Sequence, residues 1–204
     1  LPTDGVTMIE KTLAAWRASQ IDKVVVVVRP DDQELAFVCR GQGADVVRPP
    51  VAPPEMKDSV QHGLKHIEAN FAPTDEDAWL LAPADMPNLS SRVIDALIAS
   101  HDPKHAIILV PTLGGKRGHP VLFSWTLAAE VFSLPATAGL NVLRQRHESR
   151  GVPCDSVEPA GPSAFGDIDT PEDYERLRQS VAIDTSSPAA TPPESAAGRG
   201  RGRS

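Results

Sequence analysis

Two acidic steps carry the clearest chemical potential in this chain. Asp85 lies in Leu-Ala-Pro-Ala-Asp-Met-Pro at residues 81–87, and Asp167 and Asp169 lie in Gly-Asp-Ile-Asp-Thr-Pro-Glu-Asp at residues 166–173. Each step follows a predicted strand. In an open α/β sheet, ligands occupy the crevice beyond the carboxyl ends of the strands, where two carboxylates can share one divalent cation. Such a pair suits metal-assisted phosphate chemistry. Pro83 and Pro87 stiffen the backbone around Asp85 and would hold its carboxylate in place. The competing local reading is an aspartate that bonds its own turn or caps the next helix. Asp167 and Asp169 alternate along an extended segment, so only one can face a given side. The dipole of the following helix accounts for Glu172 and Asp173 and in part for Asp169.

Two further positions suit ligand contact. Ser59, in Met-Lys-Asp-Ser-Val-Gln-His-Gly-Leu at residues 56–64, stands near a predicted helix start, where free N–H groups and a hydroxyl can meet phosphate or a base; capping is the local alternative. His119 lies between Gly118 and Pro120 at the end of a polar glycine loop, whereas His62, His66, His101, His105 and His147 read as surface residues.

The elements that must position these groups alternate between strand and helix. Val6, Ile9, Leu13 and Trp16 recur at helical spacing, with Thr7 and Glu10 as a capping box, which predicts a helix over 6–19. Val24 to Val28 is an unbroken β-branched run, the pattern of a strand covered on both faces. Helices are predicted at 31–41, 56–70, 124–132 and 139–149, and a further one capped by Ser90 or Ser91. Strands are predicted at 44–47, 78–82, 105–111 and 152–157, and the polar glycine loop Gly114 to Pro120, which leads into Val121-Leu122-Phe123, is expected to face a ligand. Thr170 and Pro171 open a last helix as N-cap and first residue. This order predicts a doubly wound, mostly parallel sheet with helices on both faces. Residues 1–180 read as one domain, and 181–204, rich in Pro, Ser and Ala and ending in alternating Gly and Arg, as a disordered tail.

Composition narrows the class. Of 204 residues, 41% are hydrophobic and 4% aromatic, and the net charge is -7. That charge argues against nucleic acid as a partner, while an acidic enzyme can bind nucleotides if magnesium brings positive charge locally. Cys39 and Cys154 are the only cysteines, far apart and without ligand spacing, so neither a disulfide framework nor a zinc site is expected. No apolar run reaches membrane-spanning length and no signal-peptide pattern opens the chain, so a cytoplasmic protein is expected.

Together the segments at 56–64, 81–87, 117–123 (Arg-Gly-His-Pro-Val-Leu-Phe) and 167–174 (Asp-Ile-Asp-Thr-Pro-Glu-Asp-Tyr) resemble the molybdenum cofactor cytidylyltransferases, a branch of the MobA-like nucleotidyltransferases. The resemblance covers residues 1 to about 178 in order and spacing. It implies a Rossmann-like nucleotidyltransferase fold and transfer of CMP from CTP to the terminal phosphate of molybdopterin, with release of pyrophosphate. It further implies Mg2+ as cofactor, held by Asp85 and Asp167, with Asp167 to Asp169 as the second acidic position of the catalytic centre. Ser59, Pro83 and Ala84 would line the nucleotide pocket, and Gly118, His119 and Pro120 the side where the acceptor enters. A molybdoenzyme or its chaperone would be a further partner. The family also opens with a strand and a glycine-rich triphosphate loop, which Leu1 to Glu10 do not match, and Glu55 stands where a glycine is usual. The expected explanation is a truncated sequence of an active transferase, with exposed apolar sheet edges as one consequence. The alternatives are a relative acting on another nucleotide or acceptor, and a non-catalytic binding module.

Overall fold

The computed structural model describes residues 6–86 and 88–157. Asp167, Asp169, the helix expected after Thr170 and the Arg/Gly tail lie outside them, as does Pro87. Helix α1, Met8–Arg17, opens with the expected capping box. The Thr7 N–H donates to Glu10 Oε2 at 2.8 Å and Thr7 Oγ1 accepts from the Glu10 N–H at 3.4 Å. Strand β1, Val25–Val27, helix α2, Gln33–Gly41, and strand β2, Asp45–Val47, form a βαβ unit whose strands pair in parallel. Asp32 caps α2 by accepting the Leu35 N–H at 2.9 Å. After the proline loop come helix α3, Met56–Phe71, strand β3, Ala78–Leu81, and helix α4, Ser91–Ala99. No helix among the described residues is long and apolar enough to cross a membrane.

The second half departs from the expected parallel sheet. Strand β4, Ile108–Leu113, turns back at once through Gly114 and Gly115 into strand β5, Lys116–Arg117. Both glycines have positive φ, at 56° and 77°, the conformation that a tight hairpin needs. The polar glycine loop of the sequence is therefore a β-hairpin tip. Strand β6, Val121–Ser124, follows and inserts antiparallel between β3 and β4. So short a connection cannot make the crossover that parallel pairing demands. A 3-10 turn, Trp125–Leu127, and helices α5, Ala128–Ser133, and α6, Asn141–Arg146, lead to strand β7, Ser149–Pro153, parallel to β4. The last strand thus ends before the predicted 152–157. The result is a small parallel sheet, β2-β1, and a mixed five-stranded sheet with the path β3-β6-β4-β7, β5 extending β4.

Helices cover both faces, as the apolar strands require. On one face Val60 and Leu64 of α3 pack with Trp79, Ile108, Val110, Val121 and Phe123 and with Val131 and Leu143 of α5 and α6. Trp79 stacks on its cross-strand partner Phe123 with ring centroids 4.2 Å apart. On the other face Val93 and Leu97 of α4 meet Leu109, Leu122 and Val152, and Leu13 of α1 meets Val28, Ala36 and Cys39. No ladder joins β1 to β3 among the described residues. A cavity of about 650 Å³ lies between them.

Candidate active site

The loop after β3 presents Asp85 at the surface. The strand ends at Leu81, the chain turns at Ala84 and Asp85, and the Asp85 side chain is exposed while Met86 is buried as an anchor. Thr12 of α1 holds this turn from beneath. Its buried hydroxyl lies 3.3 Å from the Ala84 carbonyl and 3.0 Å from the Met86 carbonyl, so the backbone on both sides of Asp85 converges on one donor. Thr12 is not among the residues expected at the site; its signal in the sequence is a lone hydroxyl between Ile9, Leu13 and Trp16 on an otherwise apolar helix face. No hydrogen bond or ion pair to another described residue engages the Asp85 carboxylate.

Ser59 and His119 converge nearby. Both line a cavity of about 280 Å³ together with Pro83 and Ala84, so four of the predicted site residues meet in one space. Its walls are otherwise apolar, with Val25, Val27, Val60, Leu64 and Trp79 among them. Ser59 is not a cap: Glu55 caps α3, its N–H donating to Asp58 Oδ2 at 3.1 Å. Glu55 is extended, with φ at -129°, so this turn has no need of a glycine. Gly118 donates its N–H to the Pro111 carbonyl at 3.0 Å and sets the course of the chain into His119. The His119–Pro120 peptide is cis, and Pro120 is buried.

A polar seam keeps α3 in place behind the cavity. Lys57, only 6% exposed, donates to the carbonyls of Pro135 and Ala136 at 2.6 and 3.0 Å. One turn on, Gln61 donates to the Val131 carbonyl at 2.9 Å, and one turn beyond that the Lys65 ammonium lies 5.6 Å from the Phe132 ring centre. This spacing of four residues ties one side of α3 to α5 and the segment after it.

Of the five histidines read as surface residues, His105 is exposed, whereas His62, His66, His101 and His147 are half-buried. His101 is half-buried against the larger cavity, with Nε2 3.3 Å from Ser124 Oγ, and its burial pushes the imidazole below the ordinary value of 6.5, opposed by Asp102 and Asp77. His147 is half-buried and its Nε2 lies 2.7 Å from Glu130 Oε1. Neither lines the cavity that holds Ser59 and His119.

Among the described residues no three His, Cys, Asp or Glu side chains gather into a metal cage. Asp85 contributes a single exposed carboxylate at this turn.

Comparison with known proteins agrees with this architecture. The family model described as the MobA-like NTP transferase domain matches residues 1–151. The chain is similar to the phosphoenolpyruvate guanylyltransferase of Sphaerobacter thermophilus, 26% identical over 182 residues that cover 89% of this chain and 82% of that protein. It is similar to the purine catabolism protein PucB of Bacillus subtilis, 26% identical over 194 residues, covering 89% and 88%. In fold it is similar to Rv0371c of Mycobacterium tuberculosis H37Rv, with a TM-score of 0.70 at 23% identity, covering 88% and 87% of the two chains. That protein has also been crystallised in complex with manganese. A strand-helix framework with its acidic turn beyond β3, matched across most of its length by one family model, places the chain in the MobA-like NTP transferase domain family and makes it a nucleotidyltransferase.

Proposed function

We propose that this nucleotidyltransferase moves CMP from CTP to the terminal phosphate of molybdopterin and releases pyrophosphate. The observation that carries the reading is the meeting of Ser59, Pro83, Ala84 and His119 in one cavity, beside a turn that presents Asp85. The segment Arg117 to Phe123, with Gly118-His119-Pro120 at its centre, resembles the cytidylyltransferase branch and supports CTP over other nucleotides.

In the proposed reaction an oxygen of the acceptor phosphate attacks the α-phosphorus of CTP. The new Pα–O bond forms as the bond to the β-phosphate bridging oxygen breaks, and the electron pair leaves with pyrophosphate. Catalysis of such a step is mainly positioning and neutralisation of charge. Magnesium, when bound, would neutralise phosphate charge and polarise the reacting phosphoryl group, with Asp85 as its protein ligand and Asp167 as the second. The manganese complex of Rv0371c supports a divalent ion in this fold. Pro83 and Ala84 form the wall next to the carboxylate, Ser59 offers a hydroxyl to the nucleotide, and Gly118, His119 and Pro120 border the acceptor. The apolar lining would exclude water from the planar groups.

A second reading has one specific support. The similarity to a phosphoenolpyruvate guanylyltransferase favours GTP and a smaller phosphorylated acceptor. The base and acceptor that support turnover decide between the two. Metal placement is tested by Asp85→Asn. Magnesium-dependent transfer is expected to fall on the order of a hundredfold or more, with the thermal midpoint unchanged because the side chain is exposed. Activity within tenfold of the parent would remove Asp85 from the metal site.

A further inference from the structure

The hairpin of β4 and β5 stands at the carboxyl end of β4, the same end of the sheet as the Asp85 turn, because β3 and β4 both run antiparallel to β6. Its tip is pinned on both sides. The Asp155 carboxylate accepts the Gly114 N–H at 2.7 Å, and the Gly118 N–H donates to the Pro111 carbonyl at 3.0 Å. Strand β5 presents two exposed cations, Lys116 and Arg117, and the pairing of Thr112 with Arg117 and of Leu113 with Lys116 sets their sides. Side chains of paired residues share a face, and neighbours along a strand take opposite faces. Ile108 and Val110 of β4 pack toward α3, and Leu109 packs toward α4. Arg117 therefore rises on the face covered by α3, the helix that carries Ser59, and Lys116 on the face covered by α4.

The ladder between β3 and β6 brings Arg117 to the acidic turn. Trp79 pairs with Phe123 and Leu81 with Val121, so the chain after β3 and the chain before β6 leave neighbouring strands at one end of the sheet. Carried past the last pair, the same register sets Pro83 level with His119 and Asp85 level with Arg117. The first of these matches the structure, since Pro83 and His119 line one cavity. Asp85 and Arg117 are both exposed, and among the described residues neither side chain makes a hydrogen bond or ion pair, with the other or with a third group. A carboxylate and a guanidinium thus border one opening without neutralising each other.

We infer that Arg117 binds the phosphate monoester of the acceptor. It directly precedes Gly118-His119-Pro120, the border proposed above for the acceptor, and its role rests on that placement. A guanidinium takes two oxygens of one phosphate group through its planar fork, which an ammonium cannot do. The third non-bridging oxygen is left to attack the α-phosphorus of the nucleotide. The new Pα–O bond forms as the bond to the β-phosphate bridging oxygen breaks, and the electron pair leaves with pyrophosphate. A fixed cation on the acceptor side offsets the repulsion between phosphate groups that must approach each other, and it holds the attacking oxygen in line. Molybdopterin and phosphoenolpyruvate both present a phosphate monoester, so the role is the same for either acceptor.

The test is steady-state turnover of the active protein with magnesium, at varied acceptor and at varied nucleotide, using molybdopterin or phosphoenolpyruvate according to which the parent accepts. Arg117→Met is expected to raise the acceptor KM at least about tenfold and to leave the nucleotide KM within about twofold. Arg117→Lys, which keeps the charge and loses the fork, should fall between that variant and the parent. Lys116→Met, on the other face, should match the parent. A second measurement needs neither acceptor nor turnover: titration of the parent with inorganic phosphate, read from the arginine Nε–H NMR signals, should shift the Arg117 signal saturably. If the parent turns over neither acceptor, the proposed reaction fails and the phosphate titration alone decides the role of Arg117. An unchanged acceptor KM in Arg117→Met, a rise in the nucleotide KM alone, an equal effect of Lys116→Met, or an Arg117 signal indifferent to phosphate would each overturn the proposal.

Discussion

At the scale of single residues, the acidic turn and its support are separate problems. The turn that carries Asp85 was legible because two prolines and an apolar strand frame it. Thr12 was not, because nothing local tells a reader that a hydroxyl on an apolar helix face meets carbonyls more than seventy residues away. We expect Thr12→Val to lower the turnover rate on the order of tenfold by loosening the turn, at a stability cost of about 1 kcal/mol, with Thr12→Ser retaining the parent rate. A Thr12→Val enzyme with parental turnover would show that the turn needs no such support.

His101 makes a prediction about pH. Burial lowers its proton affinity in the folded chain below the ordinary 6.5, so the unfolded chain takes up the proton first as the solution is acidified. The stability linked to this group is therefore intact above 6.5 and is lost as the pH falls through the lower folded value. Thermal midpoints should drop more steeply between about pH 7.5 and 5 for the parent than for His101→Gln. Parallel curves would show that the buried imidazole does not couple to folding.

At the scale of elements, the first half could be read almost to the residue. The run Val24 to Val28 yields β1, and Thr7 with Glu10 marks the start of α1 because that cap is local chemistry. The second half was misread where pairing depends on the connection. Gly114-Gly115-Lys116-Arg117 looked like a ligand loop, yet two positive-φ glycines close a hairpin, and the short path from there to β6 forces antiparallel pairing. Spacing along one strand cannot reveal this.

The α3–α5 seam was equally hidden, since a lysine near a helix start reads as solvent-facing. Lys57→Ala should lower stability by about 1.5–3 kcal/mol, the range for hydrogen bonds that involve a charged group, and Gln61→Ala by about 1 kcal/mol. Chemical denaturation measures both. An unchanged midpoint for Lys57→Ala would mean that apolar packing alone fixes α3 against α5.

At the scale of the whole molecule, strand-helix alternation was enough to predict helices on both faces of a sheet, and the family assignment agrees with it. The mixed direction of that sheet and the gap between β1 and β3 arise from long-range pairing. The cavity with Ser59, Pro83, Ala84 and His119 was also foreseeable only in part. Its members come from three separated segments, and the resemblance of those segments to one family, not their individual spacing, pointed to a common site.

The choice of nucleotide and acceptor is tested most directly by incubating the active protein and magnesium with molybdopterin or phosphoenolpyruvate and CTP or GTP labelled at the α-phosphate. The account predicts label transfer from CTP to molybdopterin with equimolar pyrophosphate. Transfer only from GTP, or only to phosphoenolpyruvate, would contradict it.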